Sequence, residues 1–173
     1  MPPMRRYAWL IAVMAGLGSA MAAADELPVP QSPAEQYALG LRLFKGIEET
    51  PDPVAAERWF LLAAEQGHAG AQLYLGHLYS LGGSVPQDYA RALLWFTAAA
   101  EQGDSTAQFN LGNMYAGGIG VRQDLVEAYK WFLLAAERDQ AGAAQKRDML
   151  TAVMTAEQIT TAQALARQWE SAR

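Results

Sequence analysis

No cysteine occurs in the 173 residues. That excludes disulfide staples, thiolate zinc sites, a cysteine nucleophile and a lipid-modified N-terminal Cys. Histidine is nearly as scarce, with only His68 and His77, nine positions apart on different expected helices. With neither an HExxH string nor a paired-His spacing, no metal site is expected. Charged residues make up only 18%, and 13 Lys+Arg stand against 18 Asp+Glu, for a formal net charge of -5. General nucleic-acid binding needs clustered cations to displace counterions from phosphates, so this balance argues against it. Eight prolines and 15 glycines are too few for a collagen-like or low-complexity chain. What is abundant is apolar material, 51% of the chain, enough to build a sizeable core.

The N-terminal stretch has its own pattern. Met1 to Arg6 holds two arginines and no acid, Tyr7 to Leu17 reads YAWLIAVMAGL, and the small residues GSAMAAA follow before Asp25. A basic start, a short apolar run and a small-residue site form the three-part pattern of a secretory signal. A membrane-spanning helix needs roughly 20 apolar residues, and polar, Pro-containing sequence interrupts the run at Asp25. Residues 1–24 are therefore expected to be a cleaved signal, cut after Ala24, with a cut after Ala22 or an uncleaved anchor as the alternatives. Arg5-Arg6 lacks the surroundings of a twin-arginine signal. Residues 25–32 (DELPVPQS) read as a short extended linker.

The remainder repeats with a period of 36. Trp59, Trp95 and Trp131 are each followed by Phe, and the same step relates Gly40, Gly76 and Gly112, then Asp52, Asp88 and Asp124. Superposing 59–94 on 95–130 without a gap gives 17 identities in 36 positions. Self-similarity at such a period marks a stacked array of one supersecondary unit.

Each unit contains two helices. In AQLYLGHLYSLG (71–82) the apolar residues recur at two- to four-residue steps around an interior Gly76. A helix-interior glycine costs about 1 kcal/mol relative to Ala. Its recurrence therefore points to close approach of a neighbouring helix. Gly82 ends this helix, and Asp88 is a good N-cap for the next, as are Asp52, followed by Pro53, and Asp124. The second helix, YARALLWFTAAAEQG, carries Ala92, Trp95, Phe96 and Ala99 at i, i+3, i+4, i+7 spacing. Gly67 and Gly103 supply the left-handed stop, and links this short join antiparallel helices.

Both ends carry capping signatures. Ser32-Pro33-Ala34-Glu35 is a capping box with Pro at the first helical position. Towards the C-terminus the pattern degenerates: Asp139 replaces the stop glycine, Ala144-Gln145 sit one residue late, and QKRDML is more polar than its counterparts. Thr155-Ala156-Glu157-Gln158 is a second capping box, opening a helix to about Glu170. Its stripe of Ile159, Ala162, Leu165, Ala166 and Trp169 suits a cover for the open end of an array.

The shared pattern A-x-x-x-L-G-x-x-Y, a glycine-containing loop, then D-x-x-x-A-x-x-W-F-x-x-A-A-E-x-G resembles the Sel-one-like repeats, longer-period relatives of tetratricopeptide repeats. The resemblance covers residues 34–142, with Leu43 standing where the first unit's Tyr belongs. It implies an all-α fold: a right-handed, tetratricopeptide-like α-solenoid with three units (about 35–70, 71–106 and 107–142, degenerate to 154) and a capping helix over 155–172. With the signal, it implies an exported bacterial member, periplasmic or secreted.

It also implies adaptor or scaffold work in the envelope rather than catalysis, with another protein as partner and no cofactor, nucleic acid or membrane span after signal cleavage. A monomer is expected; the alternatives are a cell-wall-directed enzyme or inhibitor and a self-assembling structural subunit. By the resemblance, the first helix of each pair lines the concave surface. This assigns Tyr37, Leu41 and Phe44, then Leu73, His77 and Ser80, then Phe109, Asn113 and Ala116 to a partner-binding groove. Their i, i+4, i+7 spacing independently puts each trio on one helical face. His77 and Asn113 are the sharper candidates, because polar side chains there are inexpensive only if exposed.

No catalytic constellation emerges. GGIGV (117–121) follows a helix instead of a strand and recurs as GGSVP, which makes it a helix–helix turn and not a phosphate loop. Glu65, Glu101 and Glu137 recur at the repeat period before a helix stop, and Glu48-Glu49 belong to one loop, so neither set reads as an acid–base pair.

Overall fold

The structure is a computed structural model in which residues 30–47 and 50–173 are described. The expected signal, most of the linker and Glu48-Glu49 lie outside them. Among the described residues there are eight α-helices and no strand. They are α1 (Pro33–Lys45), α2 (Pro53–Glu65), α3 (Ala69–Leu81), α4 (Tyr89–Glu101), α5 (Ser105–Gly117), α6 (Leu125–Ala136), α7 (Ala143–Thr151) and α8 (Ala156–Ser171). Successive helices pack as antiparallel pairs, α1 on α2, α3 on α4 and α5 on α6, and the pairs stack into a right-handed α-solenoid.

Local chemistry sets the helix ends. Asp52, Asp88 and Asp124 accept from backbone N–H groups of the first turns of α2, α4 and α6. Both capping boxes are formed, Ser32 with Glu35 and Thr155 with Gln158. Those bonds, Ser32's foremost, also hold the Glu35 carboxyl below its ordinary value. His68 Nδ1 caps α3 by accepting from Ala71 N at 3.2 Å, so this helix starts two residues before the sequence pattern suggested. Gly67 and Gly103 stop α2 and α4 at φ 87° and 91°, and Asp139 takes the same left-handed role at φ 55°.

The recurring glycine has a steric explanation. A Cβ on Gly40, Gly76 or Gly112 would lie 2.6, 2.5 or 2.7 Å from the ring of Phe60, Phe96 or Phe132. Each Phe is almost completely buried against its paired first helix. Burying one such ring contributes about 1.5–3 kcal/mol, which exceeds the helix-propensity cost of the glycine facing it.

A second periodic series lies in the seams. Gln36, Gln72 and Gln108 are buried. Gln66 Nε2 donates to Gln36 Oε1, and Gln102 Nε2 to Gln72 Oε1, both at 2.7 Å. Gln72 and Gln108 in turn donate to the carbonyls of Ala64 and Ala100 in the preceding unit. The amides thus stitch the first two pairs internally and tie the second and third each to the pair before it.

After Gly142 the array changes form. α7 and α8 both pack on α6, and α8 runs alongside α6 in the same direction. Tyr129 clusters with Met154 and Ala162, Trp131 meets Trp169 edge-on with ring centroids 6.0 Å apart, and Arg138 faces Glu170 at 3.8 Å. Ala162 and Ala166 are the buried positions of the expected cover stripe. The guanidinium groups of Arg138 and Arg173 lie over the Trp169 ring at 5.4 and 4.5 Å. Arg173 also donates to Gln102 O at 2.7 Å.

Candidate protein-binding groove

Of the first helices, α3 and α5 touch each other directly along the stack. All nine sequence-assigned groove residues are half-buried on α1, α3 and α5. They do not form one continuous patch. Phe44, Leu73 and His77 come together in a cleft of about 460 Å³ between α1 and α3, joined there by Tyr74, Leu78 and Leu81. Leu81 is 77% exposed, the most exposed large apolar residue among those described.

The other assigned residues are placed differently. Tyr37 stacks on His68 at 4.4 Å and meets Phe60 and Tyr74, each at 5.9 Å, so much of its ring serves packing. Leu41 packs against the main core. Ser80 Oγ donates to His77 O within its own helix. Phe109 packs on Phe132 with centroids 5.7 Å apart, and Asn113 and Ala116 continue its face along α5 outside the cleft.

The exposure expected for His77 is not what the structure shows. Its ring is half-buried and meets Phe96 edge-on at 5.2 Å. Burial pushes its pKa below the ordinary value, opposed by the charge of Asp104. The imidazole is therefore neutral at pH 7 and offers the cleft a hydrogen-bonding group without charge.

Tyr74, Leu78 and Leu81 were missed by the sequence assignment. They lie one residue after each of the i, i+4, i+7 positions of α3, and share the cleft with Phe44 of α1. The glutamine series was missed as well, although Gln36, Gln72 and Gln108 carry the 36-residue step openly.

A second, wider cleft of about 620 Å³ lies at the outer corner where Tyr115, Arg122 and Val126 meet Gln158 of α8. Burial raises the Tyr115 pKa, and the charges of Glu127 and Asp124 add to the shift. Among the described residues no group of three His, Cys, Asp or Glu is placed to hold a metal ion. No helix among them is long and apolar enough to cross a membrane.

Three consecutive stretches, residues 36–68, 69–104 and 105–140, match the Sel1 repeat. The chain belongs to the Sel1 repeat family. Its fold is similar to the crystal structure of a Sel1 repeat protein from Oxalobacter formigenes, with 33% identity and a TM-score of 0.66 over 68% of this chain and 48% of that one. It also resembles a protective antigen of uropathogenic Escherichia coli strains that displays an SLR fold, with 24% identity and a TM-score of 0.48 over 80% of this chain and 45% of that one. The chain thus spans about half the length of each. No curated protein matches it. Sel1 repeat proteins are in general protein-interaction modules, and the repeat is typically a non-catalytic scaffold.

Proposed function

We propose that this chain is a non-catalytic docking module of the bacterial envelope whose inner face binds a peptide or helix of another protein. The observation carrying this reading is the cleft between α1 and α3, where exposed Leu81 joins Phe44, Leu73 and Tyr74 on an apolar surface containing one neutral imidazole. Contiguous exposed apolar surface with few polar groups is the usual signature of a docking groove. Nine residues on three inner helices, Tyr37 to Ala116, supply the wall on which such a segment lies. The signal-like residues 1–24 support export to the periplasm, with the mature chain acting as a monomer.

The test is chemical crosslinking and capture from periplasmic extract, comparing the wild type with Leu81→Asn and with Tyr37→Ala/Phe109→Ala. Partners captured by the wild type are expected to be lost in Leu81→Asn, whose melting temperature stays unchanged because the side chain is solvent-exposed. An unchanged captured set would remove the groove assignment. Fractionation and N-terminal sequencing of the expressed protein check the export reading, with Asp25 the expected first residue.

A further inference from the structure

Much of the inner wall of the groove is neutral: α3 and α5, 13 residues each, contain no Asp, Glu, Lys or Arg, and α1 carries its charges, Glu35, Arg42 and Lys45, in its end turns. A charged side chain pressed onto this wall would lose hydration without gaining a counter-ion.

The two edges of the groove are not neutral, and they differ. One edge is formed by the turns that lead from α2 to α3, from α4 to α5 and out of α6. It gathers Glu65, Glu101, Glu137, Asp139 and Glu170, with Glu35 and Asp104 committed to helix caps, against Arg138, Arg147 and Arg173. All three are already engaged: Arg138 and Arg173 lie over Trp169, Arg138 also faces Glu170, and Arg147 pairs with Asp148. Glu65 and Glu101 are exposed, and no basic residue occupies the last turn of α2 or α4. An acid at a helix C-terminus is disfavoured by the helix dipole. Helix stability is therefore no reason for these two glutamates.

On the opposite edge Asp52, Asp88 and Asp124 are committed as N-caps, Glu127 pairs with Lys130, and Lys45, Arg91 and Arg122 stand against Glu157. Acids and bases are there nearly balanced in number. At physiological salt a charge is felt over about 8 Å, so a docked segment senses chiefly the edge beside each of its flanks.

We propose that the segment seated in this groove is an amphipathic peptide with an uncharged apolar buried face and lysines or arginines along the flank beside the α2–α3 and α4–α5 turns. This deepens the groove assignment above and rests on it. The acidic edge steers and orients such a segment, while the neutral wall rejects any register that buries its charges.

Three synthetic helical peptides sharing one leucine/alanine face but carrying Lys, Gln or Glu on one flank test the proposal by fluorescence anisotropy. At low salt the Lys-flanked peptide is expected to bind at least about tenfold more tightly than the Glu-flanked one, and the difference should collapse at high salt. Glu65→Gln/Glu101→Gln/Asp139→Asn should reduce affinity for the Lys-flanked peptide several-fold and leave the Gln-flanked one unchanged. Asn tolerates the left-handed backbone at 139, so this variant keeps its fold. Equal binding of the three peptides, or a Lys preference that survives the triple variant, overturns the charge assignment. If Leu81→Asn weakens all three in that case, the groove itself stands. Peptides bound equally well by wild type and Leu81→Asn, or not bound at all, overturn the groove and this proposal together.

Discussion

Gln102 donates to Gln72 Oε1 at 2.7 Å across thirty residues, and Gln66 makes the equivalent bond to Gln36. Arg138 stands where the third unit needs the corresponding glutamine, and its guanidinium turns instead to Leu134 O, Glu170 and Trp169. Gln108 Oε1 is consequently buried without a partner. One substitution has exchanged a seam bond for a hold on the covering helix.

This difference makes two chemically identical substitutions unequal. Gln72→Leu removes an amide bonded through both of its ends, whereas Gln108→Leu removes a single bond together with an unpaired oxygen. An unsatisfied buried polar atom costs about 1–3 kcal/mol. Gln108→Leu should therefore cost at least about 1 kcal/mol less than Gln72→Leu, measured by urea unfolding. Equal costs would show that the orphaned oxygen carries no penalty.

At Gly76, helix propensity and packing oppose each other. Alanine would gain about 1 kcal/mol as a helix former, yet its Cβ would meet Phe96 at 2.5 Å. Overpacking of this kind costs about 1–3 kcal/mol, and here the contact falls on a ring that is nearly fully buried. Gly76→Ala should lower the melting temperature, and adding Phe96→Leu should recover part of the loss. A stabilised single variant would refute the close-approach account.

The depressed pKa of His77 fixes a sign. Its folded value lies below the unfolded 6.5, so between the two the unfolded chain binds the extra proton. Stability from this group is present above pH 6.5 and is lost as pH falls through the folded pKa. His77→Asn, which installs the residue the next unit carries at position 113, should flatten the fall in stability as pH drops below 6.5. Glu137 acts oppositely. Burial first, and Glu170 second, raise its pKa above 4.5. Its contribution is therefore present at low pH and lost as pH rises through the raised value, and Glu137→Gln should remove that loss. Parallel pH titrations of thermal stability separate the two.

Trp169 ties the covering helix to Trp131, Arg138 and Arg173. Trp169→Ala should destabilise by about 2–4 kcal/mol, somewhat less than for a fully buried Trp. It should also raise hydrogen exchange in α6 before α3. Uniform loss of protection across the chain would argue against a local fastening.

Much of the fold was legible because the repeat writes its constraints at fixed spacing. The close helix approach at the recurring glycine, the Asp caps and both capping boxes follow from residue type and period alone, while the Phe ring that meets each glycine does not. The path of α8 was not legible: its stripe showed that it covers something, but Trp131, Arg138 and Gln102 lie far away in sequence. That each assigned trio shares one face of its helix was readable from helical spacing. The cleft was not, because Tyr74, Leu78 and Leu81 of α3 share it with Phe44 from a different helix, about thirty residues earlier. His77 was read from polarity alone, and the Phe96 ring that half-covers it comes from a different helix.

The bond from Arg173 to Gln102 O spans 71 positions and passes over a whole unit. In a stacked array each unit ordinarily touches only its neighbours, so an end can fray one unit at a time. This bond instead closes a loop through α5, α6, α7 and α8. Opening α5–α6 alone would strand the covering helix, so the second half of the chain should unfold as one cooperative block.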